Sequence, residues 1–404
     1  MMIEKPDGVK AAVFFLVIVF AVVFLSSLSA RLMGGKTEEM KEQKPLSIME
    51  SMTIEEFGKV NGLSKEVLKE VFGITVKEDL QKTIGATGIP KEEVLSKITR
   101  EGALHEEFES KNWVLIPIKF ALWFGFLTMV FVFMRKGLIT PKIRRIFYFV
   151  AVAVFGVILG SDPSPMGTVK DAVVLLGTKG VIFPPRLIAL SLFLVTVFLA
   201  NKFICSWGCQ FGTLQDAVFR LNRKDNDRTG LFFQIKLPFV VTNTIRIATF
   251  CALAIGAFAW GFDIIGAVDP FKIYKPSVVA FHGWIFIGAI LIAGLFIYRP
   301  WCHLFCPFGL VGWLVEKISI FKIHVDYDTC IACEACAKAC PSSVMEAILK
   351  RERTIPDCFS CATCIGVCPT HSISLKSGKR MVPPEGKFKT DVAEAGGSRN
   401  ADSS

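Results

Sequence analysis

Eight cysteines in two matched runs constrain this chain more than any other feature. The first run reads Cys330-x2-Cys333-x2-Cys336-x3-Cys340-Pro341. The second reads Cys358-x2-Cys361-x2-Cys364-x3-Cys368-Pro369. Three thiols at spacings of three residues can wrap one side of a polynuclear cluster, and a fourth just before a proline is turned away towards a neighbouring one. Zinc held by paired C-x2-C units is the competing reading. Zinc rarely uses three evenly spaced cysteines followed by Cys-Pro, and here that arrangement occurs twice, so the spacing favours iron–sulfur chemistry.

The doubled run resembles the two-cluster ferredoxin domain family over about residues 322–376. The resemblance implies an α+β domain carrying two 4Fe–4S clusters. It implies that Cys330, Cys333, Cys336 and Cys368 hold one, and Cys358, Cys361, Cys364 and Cys340 the other. Thirteen cysteines would suggest disulfides only in a short secreted chain; in these 404 residues their thiolates call for a reducing side or buried ligation.

The rest of the chain is apolar. It is 52% hydrophobic with 36 Phe, and its mean hydropathy of +0.50 is too high for a soluble protein of this length. Apolar runs at about 11–30, 114–134, 146–162, 186–204, 240–262 and 282–300 predict six membrane spans. The first is too long for a signal-peptide core and is expected to stay as an N-terminal anchor, residues 1–30. The net charge of +10 concentrates in the loops between runs, so no nucleic-acid partner is expected. Arg135, Lys136, Lys142, Arg144 and Arg145 fill one such loop. Arg220, Arg223, Lys224, Arg228 and Lys236 fill another. The positive-inside rule then places both termini and the ferredoxin domain in the cytoplasm of a multi-pass inner-membrane protein.

Residues 31–112 are polar and fall on the extracytoplasmic side. Two segments, 53–74 and 75–98, resemble each other and predict a small helical domain of two helix-turn-helix units, with Ser64 and Pro90 as helix starts. Residues 377–404 carry Gly, Ser, Pro and charge without periodicity and predict a disordered tail.

The membrane domain, 113–321, reads as an internal two-helix duplication. One half runs Ile143-Arg144-Arg145, Asp162-Pro163, then Cys205-x3-Cys209-Gln210-Phe211-Gly212. The other runs Ile245-Arg246, Asp269-Pro270, then Cys302-x3-Cys306-Pro307-Phe308-Gly309. Repeats of this kind pack about a pseudo-symmetry axis with function at their interface. On a helix, thiols at i and i+4 face one way. Cys205, Cys209, Cys302 and Cys306 are therefore a candidate additional metal, cluster or redox-dithiol site, weighed against plain burial of small thiols. Cys251 has no partner in sequence and reads as packing. Arg246 reads either as an intramembrane functional residue or as a snorkelling one.

Two C-x3-C-P/Q-F-G segments followed by the doubled cysteine run resemble the NapH/NosR-type membrane polyferredoxins over about residues 113–376. The resemblance implies an electron-transfer subunit rather than a stand-alone enzyme. It would exchange electrons with the membrane quinone pool and with a respiratory redox partner such as a periplasmic reductase or cytochrome. Gln210 stands where the motif has proline, and 31–112 is not the flavin-bearing domain of one branch. A redox-sensing regulator or metalloenzyme-assembly ferredoxin is the alternative. No nucleotide-binding glycine loop or nucleophile–base set is present.

Overall fold

The computed structural model describes residues 8–32, 47–49, 51–74, 77–160, 162–223 and 231–388. Helix α1 (Gly8–Leu32) is apolar around its whole circumference and turns Phe14, Leu16 and Phe20 outwards. A helix apolar on every side suits lipid rather than water. Its residues Lys10–Arg31 form the first of three stretches among the described residues that are long and apolar enough to cross a membrane.

The small domain follows, with α2 (Ile54–Asn61), α3 (Lys65–Phe72) and α4 (Lys91–Glu109). Thr53 caps α2 in a reciprocal box with Glu56, each side chain meeting the other's backbone N–H at 3.2 Å. Ser64 caps α3, and Pro90 precedes α4. Phe57, Leu68, Val94 and Ile98 make one buried core. The first helix-turn-helix unit is present. In the second, the expected leading helix is two 3₁₀ turns, Lys77–Gln81 and Ile84–Thr87, stopped by Gly88 at φ +68°. The backbone N–H groups of Ile54 and Ile84 are used instead on Lys82 and Met52 carbonyls. Residues 33–46 of this expected domain lie outside the described residues.

The core begins with α5 (Leu115–Arg135), the second spanning-length helix, and α6 (Pro141–Val150), which runs directly into a π-helical stretch at Ala151–Ile158. Within that stretch Gly156 gives room to the Tyr274 ring, since a Cβ there would lie 2.5 Å away. The expected loop at 161–185 is largely a helix, α7 (Pro165–Lys179). Ser164 caps it by accepting the Gly167 N–H at 3.0 Å. It packs along α11 (Phe239–Trp260), the third spanning-length helix, so closely that a Cβ on Gly177 would sit 2.8 Å from the Ala257 backbone. The other expected runs give α8 (Pro184–Ala200) and α12 (Phe281–Phe296), of 17 and 16 residues. Each is about 25 Å long, short of a hydrocarbon core of about 30 Å.

After each of these short helices the chain turns back. Helices α9 (Phe203–Trp207) and α10 (Gln210–Leu221) follow α8. Helices α13 (Pro300–Leu304) and α14 (Pro307–Glu316) follow α12. The packing is reciprocal, with α10 against α12 and α14 against α8. Cys251 faces outwards from α11 rather than into the packing the sequence suggests.

The C-terminal domain pairs β1 (Phe321–Val325) antiparallel with β2 (Ile373–Ser377), in a register that sets Ile323 opposite Leu375. Between them lie α15 (Ala335–Ala339), α16 (Val344–Leu349) and α17 (Thr363–Val367). Residues 378–388 differ from the disordered tail expected there. They hold no regular element, yet Arg380 donates to the Ile323 carbonyl at 3.2 Å and Phe388 is buried against the Tyr327 ring. Residues 389–404 lie outside the described residues.

Helix α8 shows how the parts are disposed. Near its start, Arg186 pairs with Glu107 of α4 at 2.6 Å. At its end, the Phe198 carbonyl accepts from Ile320, and the Ala200 carbonyl accepts from Ser360. The small domain and the cysteine-rich domain therefore meet opposite ends of one apolar helix. Phe57→Ala should remove about 3–5 kcal/mol from the small domain. Limited proteolysis should then cut within 51–109 while the iron content of the chain stays unchanged.

Candidate iron–sulfur centres

Each cysteine run is bent by residues that are not glycine yet hold positive φ. Ala332 (+52°) and Glu334 (+55°) flank Cys333; Ser360 (+49°) and Ala362 (+60°) flank Cys361. Ser343 (+56°) and His371 (+52°) follow the two Cys-Pro steps at matching places. Such positions cost of order 1–3 kcal/mol each and persist where the surroundings over-determine them. Here they turn three successive thiols to one side. Backbone N–H groups point the same way: Ala337 towards Cys336, Ser342 and Met345 towards Cys340, Ser360 towards Cys358.

The thiols gather into two sets. Cys330, Cys333, Cys336 and Cys368 line one space with Val325, Leu349, Ile373 and Phe388. Cys340, Cys358, Cys361 and Cys364 line a second with Ile323, Val344, Met345 and Phe359. Each set takes its fourth thiol from the other run. Among the described residues no three His, Cys, Asp or Glu side chains close on a single ion. Thiols set around a space suit a polynuclear cluster better than zinc. Burial pushes the Cys336 thiol up to about 12, and burial with the Glu316 carboxylate does the same to Cys358. Thiolates at these positions need the positive charge of bound metal.

The two sets differ in surroundings. Cys333 is exposed and Cys330, Cys336 and Cys368 are half-buried, whereas Cys340, Cys358 and Cys364 are buried. The buried set faces the membrane core. Trp207 donates its indole N–H to the Ser360 carbonyl (3.0 Å), Arg220 donates to Thr363 (3.2 Å), and Arg223 to the Ala339 carbonyl (2.9 Å). The Lys202 N–H donates to the Cys358 carbonyl (3.2 Å). Asp357, just before Cys358, is fully buried between Lys202 (2.8 Å) and Arg246 (2.7 Å). Burial would raise its carboxyl, but Lys202 and Arg246 outweigh this and hold it down at about 2.

The C-x3-C cysteines are all buried, but not on single helices as the spacing suggests. Cys205 lies in α9 and Cys302 in α13, whereas Cys209 and Cys306 sit in extended backbone capping α10 and α14. Gly208 ends α9, and Pro307 cannot continue α13. The turn back is tight, since a Cβ on Gly212 would lie 2.4 Å from the Cys205 carbonyl oxygen. The four thiols share one buried neighbourhood, although no three of them close on a single ion among the described residues. Cys209 stands within electrostatic reach of Cys302, Cys205 and Cys306. Gln215 of α10 donates to the Cys302 sulfur (3.5 Å) and accepts the Trp301 N–H (2.9 Å). Arg299 donates to the Cys205 carbonyl (2.6 Å) and pairs with Asp216 (2.6 Å). Lys202, Arg246 and Arg299 are fully buried beside Asp216 and Asp357, with the buried Glu316 close by. Both polar atoms of the buried Gln210 amide lack a hydrogen-bond partner among the described residues. Four buried thiols and an unpartnered amide leave room in the chemistry of this layer for a further bound group at Cys205, Cys209, Cys302 and Cys306.

Arg246 does not snorkel, being wholly buried and paired with Asp357. Sequence reasoning overlooked Lys202, Asp216, Arg299 and Asp357. Their signal was position: Lys202 and Arg299 each stand three residues before a C-x3-C pair, and Asp357 stands beside Cys358.

A C-terminal ferredoxin-like 4Fe–4S region on a helical, membrane-type core defines the class of protein. Comparison with known proteins agrees. A family described as a 4Fe–4S binding domain matches residues 182–226 and 279–325, the two segments that carry the C-x3-C pairs. A second family of the same description matches 323–346. The chain is 31% identical over 176 residues to a protein of Escherichia coli (strain K12) provisionally named electron transport protein YccM, covering 42% of this chain and 49% of that one. It is 26% identical over 230 residues to an uncharacterized protein of Methanocaldococcus jannaschii, covering 56% and 82%. The chain thus spans about half the length of the Escherichia coli relative. No solved structure matches. 4Fe–4S binding is what these findings support.

The crossed pairing gives a direct test. Cys340→Ser, in the first run, should remove the iron–sulfur signal of the set completed by Cys358, Cys361 and Cys364. Cys368→Ser should remove the other. Iron analysis with electron paramagnetic resonance should show a loss of about four irons per chain in each case.

Proposed function

We propose that this protein relays single electrons between membrane quinol and a respiratory redox partner, through two 4Fe–4S clusters docked on a six-span core. The observation that carries this reading is the asymmetry of the thiol sets. The buried set packs on the membrane core beside the C-x3-C layer, and the other set opens to solvent. Bound clusters would supply one-electron redox chemistry. The chain's own residues hold them with eight thiolates, donate N–H groups to the sulfurs, and exclude water from the core-facing one. Cys205, Cys209, Cys302 and Cys306 hold a third redox group between the quinone level and the buried cluster.

The two C-x3-C halves are read as an internal repeat, supported by the reciprocal packing of α10 on α12 and α14 on α8. We place the cysteine-rich domain in the cytoplasm at the inner membrane and residues 47–109 outside. Basic residues support this. Arg135 lies over the Phe321 ring (5.3 Å), and Arg220, Arg223 and Lys236 bond to the cysteine-rich domain, so the positive charge gathers at that end.

In proteoliposomes, a menaquinol analogue should reduce both clusters of the unmodified protein. Cys209→Ser should slow that reduction at least tenfold while chemical reduction of both clusters by dithionite stays intact. Clusters that dithionite reduces and the quinol never does would refute the relay.

A further inference from the structure

Each C-x3-C half sends one cation to the residue that precedes a cluster ligand. Lys202 belongs to the first half and Arg246 to the second. Both reach Asp357, and both also donate to the Gly309 carbonyl, at 2.7 and 3.0 Å. All three charged side chains are fully buried. A buried ion group of this kind is weak evidence for stability, because apolar replacements of similar volume are often as stable. Its position suggests another use. Asp357 adjoins Cys358, and the Lys202 backbone bonds the Cys358 carbonyl at 3.2 Å.

We propose that Lys202, Arg246 and Asp357 set the reduction potential of the core-facing cluster independently of the solvent-facing one. Reduction adds an electron to an anionic cluster. A nearby cation favours that electron and a nearby carboxylate opposes it. Water screens little here, so the sign of each charge is felt at the cluster. Other charges face the same loop. Glu316 accepts the Cys358 N–H at 2.7 Å, and Arg299, paired with Asp216, stands 5.0 Å from the Phe359 ring centre. The solvent-facing set, with Cys333 exposed, lies beyond this group and feels it less. The proposal rests on the reading of two 4Fe–4S clusters above.

The test is a dye-mediated potentiometric titration of the full-length protein in detergent, read by electron paramagnetic resonance, with the solvent-facing cluster as internal control. Lys202→Gln and Arg246→Gln should each lower the midpoint of the core-facing cluster. Asp357→Asn should raise it. The expected size is about tenfold in the reduced-to-oxidised ratio at fixed potential, or about 59 mV for one electron. Lys202→Arg should restore the native value. Where one glutamine variant does not accumulate, the other carries the same sign. A merely structural group would give shifts of one sign for all three, no shift with both signals intact, or equal shifts in both clusters, and any of these overturns the proposal. Absence of the core-facing signal from unmodified protein would instead count against the two-cluster reading itself.

Discussion

A carboxylate without water must be given its counter-charges by the fold, and Asp357 receives them from both halves of the core. Removing the carboxylate would leave both buried cations uncompensated, and breaking a buried pair in this way typically costs about 3–5 kcal/mol. Lys202 is anchored by the chain reversal after α8, and Arg246 by α11. Holding both on one residue fixes the cysteine-rich domain against two separate helices at once. The neutral bonds around it, Trp207 to Ser360 and Ser360 to Ala200, then act on a domain already in register.

Thiol ligation imposes the second constraint, and it works through the backbone. Three thiols only three residues apart cannot face one space in a helix or a strand. The chain must reverse its hand around Cys333 and Cys361, and it does so at alanine, glutamate and serine rather than glycine. Glycine would ease the turn and leave the unfolded loop freer. Side chains at those places suggest that metal ligation supplies the order, so the loop need not be flexible.

The two thiol sets of the cysteine-rich domain were legible because the spacing that groups them is local: three thiols and a Cys-Pro are read within twelve residues. The apolar runs were legible for the same reason. The segments between them were not. Residues 165–179 look like a loop because Lys170 and Asp171 interrupt the apolar pattern, yet Lys170 is buried beside Asp263 and Asp269, partners far away in sequence. Burial of charge depends on such distant partners, so no window of sequence reports it. The break between Cys205 and Cys209 was hidden in a similar way. Spacing of i and i+4 reads as one helical face, and only the close approach of Gly212 to the Cys205 carbonyl shows that the chain has turned.

The two halves differ where their surroundings differ. Pro307 starts α14 and Gln210 starts α10 in the equivalent place. A proline there only ends the preceding turn, whereas the glutamine brings a buried amide whose polar atoms have no partner among the described residues. Its backbone carbonyl accepts the Tyr274 hydroxyl at 3.0 Å, from the segment that enters from the opposite face. Asp216 in α10 likewise stands where α14 has Trp313, and it takes Arg299, Arg220 and Tyr298 as partners. Buried charge is thus shared between the halves, with Lys202 and Asp216 in the first and Arg246 and Arg299 in the second. A one-electron group between them would meet buried hydrogen-bond donors from both sides, such as Gln215 and Arg299. That arrangement stabilises added charge without admitting water to it.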